Sequence, residues 1–111
     1  YNLFSSVEFN NAVNNTKLVV REARHLSVSP KISEWIDNTL LKFLDDVNFK
    51  VEFVNDSEEY LRSKTLDLLD VLKNMTINEN LKGDTLKVIN SIYDIFHEYY
   101  FDNDLIVKEK K

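Results

Sequence analysis

The amino-acid sequence predicts an all-α fold: a small antiparallel four-helix bundle with helices over about 6–26, 30–47, 57–75 and 85–101, and a short capped turn at 76–82. Three observations predict it. Helix-starting signals occur four times, each followed at once by apolar residues at a period near 3.6. The connections between these segments are short, which makes sequence neighbours antiparallel. One glycine and one proline in 111 residues argue against an all-β or loop-rich architecture.

The first helix opens on Ser5, with Glu8 three residues on as its capping-box partner and Phe4 positioned to staple against Phe9. Phe9, Ala12, Val13, Thr16, Val19, Val20, Ala23 and Leu26 fall within about 140° of its circumference. The second helix starts at Ser29-Pro30, a capping residue followed by proline at the first helical position. It turns Ile32, Trp35, Ile36, Leu40, Phe43, Leu44 and Val47 inward.

Residues 49–54 then alternate apolar and polar, a strand signature without a visible partner strand. The expectation is an extended connector laying Phe49, Val51 and Phe53 on the bundle side, with a longer second helix as the competing reading. The third helix follows Asp56-Ser57, Glu59 being the reciprocal capping partner, and buries Tyr60, Leu61, Leu68, Val71, Leu72 and Met75. Thr76 and Glu79 form another capping-box pattern, and Gly83 arrives soon enough to hold that segment to a turn or two. Asp84 then caps the fourth helix, which Asp102-Asn103-Asp104 ends.

The chain reads as a single helical domain over 1–111 and, opening on Tyr1 and closing on a charged run at 108–111, as a piece of a longer polypeptide. The formal charge of −5 and pI near 5.0 argue against nucleic acid as a main partner, since phosphate contacts need clustered Lys and Arg. The longest basic cluster, Lys17, Arg21, Arg24 and His25, carries Glu22 within it and reads as a solvated helix face. With no cysteine, thiol catalysis, thiolate metal sites and disulfides are excluded, and an intracellular setting is favoured over a secreted one. No segment reads as a membrane span.

Catalysis lacks its usual parts. His25 stands near the end of the first helix, where the helix dipole favours it. His97 has Asp94 three residues earlier, but a bundle metal site needs such a pair on more than one helix. There is no phosphate loop and no nucleophile elbow. The expectation is a protein without catalytic residues, metal or cofactor.

What remains is a surplus of apolar surface. The fourth helix carries an apolar arc of about 180°, wider than the arc above 100° that a bundle face needs. One explanation makes it the central helix, touched on two sides. The other makes its exposed part a docking surface of Val88, Ile92, Ile95 and Tyr99, with Leu66 and Leu41 as secondary contacts off their own helices' core stripes. Leu18 and Val7 lie off the stripe of the first helix in the same way.

Met75-Thr76, Leu81 and the run Lys87, Val88, Ile89, Asn90 resemble part of the helical N-terminal domain of the elongation factor TFIIS and its relatives. The resemblance covers fewer than twenty residues, without the family's Gly-Lys pair or its closing Trp-Lys, and no residue role is carried over. It implies a domain that binds short peptide motifs. The expected function is therefore a non-enzymatic protein–protein interaction domain, its partner another protein, a second copy of this chain included. The alternative is a carrier of an apolar small ligand in the bundle core, lined by Trp35 and the aromatics of the fourth helix.

Overall fold

The computed structural model describes residues 6–109, with side chains from residue 6 to residue 101. Most of those residues are helical, with no strand among them. The helices are α1 (Ser6–Ala23), α2 (Pro30–Trp35), α3 (Leu41–Lys50), α4 (Ser57–Asn78) and α5 (Gly83–Glu109). A π-helical turn, Ile36–Leu40, joins α2 to α3, so the two make one continuous rod. Four rods result, in the predicted up-down order, and α5 packs on both α1 and α4 while α1 also packs on α3. The expected Ser5 cap and Phe4 staple lie outside the described residues.

The core follows from the stripes. Phe9, Val13 and Thr16 of α1, Leu40 and Leu44 of the second rod, Leu61 and Leu72 of α4, and Ile89, Ile92 and Phe96 of α5 are all essentially inaccessible. Phe9 anchors this interior, its ring centroid 5.9 Å from Phe96 and 5.9 Å from Tyr99, the latter pair edge-on. Thr16 is tolerated in the core because its hydroxyl donates to the Ala12 carbonyl at 2.9 Å.

The N-terminus of α5 organises the loop between α1 and α2. The Ser27 amide donates to the Asp84 carboxylate at 3.0 Å, and the Ser29 amide donates to the Thr85 hydroxyl at 2.8 Å. Asp84 thus holds a neighbouring loop, and α5 begins at Gly83, which has a φ of 57°. No side-chain hydrogen bond caps α2 from Ser29. Asp56 does cap α4, its carboxylate accepting from the Glu59 amide at 3.1 Å.

α1 stops at Ala23 rather than at about Leu26, and α5 continues to Glu109 through the Asp102-Asn103-Asp104 run expected to end it. Two further segments differ from expectation. Residues 49–54 are not an extended connector: α3 runs to Lys50 and a 3₁₀ turn, Val51–Phe53, follows. Without a partner strand the backbone finds its hydrogen bonds locally. Val51 is buried, but Phe49 and Phe53 stand 69% and 70% exposed, their rings tilted against each other with centroids 5.4 Å apart. They lie four residues apart, one helical turn, so the alternation is also a helical spacing.

The capped turn at 76–82 is likewise absent. The Thr76 hydroxyl donates back to the Leu72 carbonyl at 2.7 Å, leaving nothing to start a new turn, and α4 continues to Asn78. Asn80 ends it in the left-handed conformation, φ 50°, a position that asparagine tolerates.

Candidate functional site

The expected docking face does not exist as an exposed unit. Val88, Ile92 and Tyr99 are 2%, 0% and 8% accessible and belong to the core. The cause is the place of α5, which has α1 on one side and α4 on the other, so two neighbours cover its wide arc. Ile95 is half-buried and lines a depression of mixed polarity with Glu8, Asn11, Ala12, Asn15, Glu98 and Tyr99. Burial first, and then the charges of Glu8 and Glu58, push the Tyr99 phenol well above its ordinary range.

Leu41 and Leu66 do not meet. Leu41 is half-buried beside Lys17, Val20, Arg21 and Arg24 of the α1 side, whereas Leu66 is exposed on α4. His97 is exposed and stacks on Phe101 at 4.3 Å, with Tyr93 at 5.5 Å on its other side. Among the described residues no three His, Asp or Glu side chains are grouped as metal ligands are.

A cleft with an apolar lining lies elsewhere, between the second rod and α4. There the rod formed by α2, the π turn and α3 faces α4 across a cleft of about 310 Å³. Trp35, Thr39, Leu40 and Phe43 form one wall; Asp67, Leu68 and Val71 form the other. Leu40 and Leu68 are its buried floor, Trp35 and Phe43 are half-buried, and Val71 is 45% exposed. The Lys31–Glu79 ion pair, at 3.0 Å, bridges the start of α2 to the end of α4.

The π turn shapes this wall. The Leu41 amide bonds back to the Ile36 carbonyl, five residues away, instead of the usual four. In an unbroken α-helix, Trp35 and Phe43 would point about 80° apart; absorbing one extra residue brings them to within about 20°. The π turn therefore aligns both aromatic rings along one wall, with Thr39 and Leu40 between them.

A sequence signal for this feature exists. Ile32, Ile36, Leu40 and Leu44 recur every four residues without a three-residue step, and four-residue spacing drifts about 40° per step in a straight α-helix. A π turn takes up that drift. Sequence reasoning sent Trp35, Phe43 and Val71 inward as core and thus missed the wall they form.

Comparison with protein-family models, with curated proteins and with solved structures gives no match for this chain. The stretch resembling the TFIIS domain therefore carries no family assignment. Among the described residues no helix is long and apolar enough to cross a membrane.

Proposed function

We propose that this chain is a non-enzymatic docking domain that binds another protein through the cleft between the α2–α3 rod and α4. One observation supports the reading: Trp35, Phe43 and Val71 line a cleft whose exposed surface is almost wholly apolar. Neighbouring apolar side chains left open to water mark surfaces that partners cover. An aromatic wall over a buried aliphatic floor suits an inserted side chain, the usual source of a hot spot. The volume of about 310 Å³ lies at the lower limit of small-molecule pockets and suits one or two bulky side chains.

The alternative, a carrier of an apolar ligand inside the bundle, has less in its favour. The aromatics it would use, Phe96 and Tyr99, pack against Phe9 and fill the interior. Trp35 faces the surface cleft.

Selection from a displayed library of short helical peptides, run against the native protein and against Val71→Lys, tests the docking reading. Val71 is exposed enough for lysine to reach water, so the melting temperature should change by no more than a few degrees. The expected result is a set of peptides that bind the native protein and not the variant. Peptides that bind both equally, or none at all, would overturn the proposal.

A further inference from the structure

Resting on that docking reading, we infer that the segment the cleft accepts is a basic amphipathic helix: bulky apolar anchors on one face and a Lys or Arg beside them. Two observations carry this. The first is the backbone around the cleft. Both walls are helical, with no strand edge among the described residues, so they offer an extended peptide no ladder of hydrogen bonds. Two helices side by side instead form a trough for the apolar face of a third.

The second is charge. Asp67 is the one charged residue lining the cleft, it is exposed, and it makes no ion pair among the described residues. Three lysines of the two walls' helices are engaged elsewhere. Lys31 pairs with Glu79 beyond one end, and Lys50 pairs with Asp46 at 3.2 Å further along α3. Lys64, one turn before Asp67, has its ammonium 5.6 Å from the centre of the Tyr60 ring. A partner that fills the cleft therefore brings its own rim against an unmatched carboxylate. A cation there gains an ion pair, and a second carboxylate meets repulsion. The net charge of −5 adds long-range attraction for the same sign of partner.

The test uses peptides selected against the native protein, each re-made with Lys or Arg and with Glu at the rim position, and an exchange of charge at Asp67. Binding is read from the emission of Trp35, the only tryptophan and part of the cleft wall, with tryptophan-free peptides. Selected sequences should be enriched in Lys or Arg within one turn of the anchor. Asp67→Asn should weaken the basic peptide about threefold and flatten its salt dependence. Asp67→Lys should weaken it about tenfold and restore binding to the Glu form. Val71-dependent binders with no basic preference, or with affinities indifferent to Asp67→Lys, would overturn this inference and leave the docking reading standing. An absence of Val71-dependent binders would overturn both.

Discussion

The α1–α5 seam and the side where the second rod faces α4 both present aromatic and aliphatic side chains at helical spacing, yet only at the first are the aromatic rings buried. Across the seam Phe9 meets Phe96 and Tyr99 ring to ring, and each is at most 8% accessible. Across the other side Trp35 and Phe43 stand half-buried, opposite a Val71 that is 45% exposed. The difference lies in how each stripe is periodic. The α1 stripe mixes three- and four-residue steps and stays on one face of a straight helix. The second rod steps by four from Ile32 to Leu44, drifts, and needs a π turn to keep its core register. That turn brings Trp35 and Phe43 together on one flank of the rod, away from α1. A packed core and an open cleft can thus arise from the same residue types under different spacing.

The largest contrast should appear on truncation. Phe96→Ala removes a fully buried ring and should cost about 3–5 kcal/mol, whereas Val71→Ala on the cleft wall should cost less than about 1 kcal/mol. Urea unfolding of both variants measures the ratio, and equal losses would mean the cleft is as closed as the seam.

Single-residue deletions sharpen the contrast. Removing Asn38, exposed within the π turn, leaves Leu44 eleven positions after Ile32 and restores an ordinary α-helix without moving the core stripe. Cooperative melting should persist. Removing Asn14, equally exposed on α1, rotates Thr16, Val20 and Ala23 by about 100° relative to Phe9 and should abolish it.

Two buried threonines should respond with opposite signs. Thr16→Val loses the bond to the Ala12 carbonyl and should destabilise by about 1 kcal/mol. Thr65 is 1% accessible, and its hydroxyl has no hydrogen-bond partner among the described residues. Thr65→Val should therefore stabilise by about 1 kcal/mol, read as a rise in the urea midpoint.

The smallest effect concerns pH. The Tyr99 phenol is raised in the folded state, first by burial and then by Glu8 and Glu58. The folded protein holds this proton more tightly than the unfolded chain does. The contribution is therefore complete below the ordinary phenol pKa near 10 and is lost as pH rises above it. Tyr99→Phe should flatten the alkaline limb of the stability profile while leaving its slope near neutrality unchanged.

Much of this was legible in the residues themselves. The α1 stripe and the Asp56 cap are local, and local spacing decides them. The antiparallel order follows from the short connection between the first two helices, expected as three residues and observed as six, 24–29. What was not legible depends on neighbours. The fate of the α5 arc turns on how many helices touch it, which no single-helix pattern records, and so Val88, Ile92 and Tyr99 read as surface. Phe49 and Phe53 satisfy a two-residue and a four-residue period at once, and only the missing partner strand separates the two. Thr76 could cap a new helix or bond back to its own, and Asn80 rather than Gly83 ends α4. The cleft itself was present as a run of four-residue steps whose consequence needs the opposite wall to become visible.

The most direct test of the docking account is an NMR footprint. Labelled native protein is titrated with a peptide selected on the cleft, following the Trp35 indole and the methyl groups of Val71, Leu68, Leu66, Leu41, Ile92 and Ile95. The account predicts shifts confined to Trp35, Leu68 and Val71, with Leu41, Ile92 and Ile95 unmoved. Shifts centred on Ile92 and Ile95, with Trp35 silent, would contradict it and return the binding face to α5.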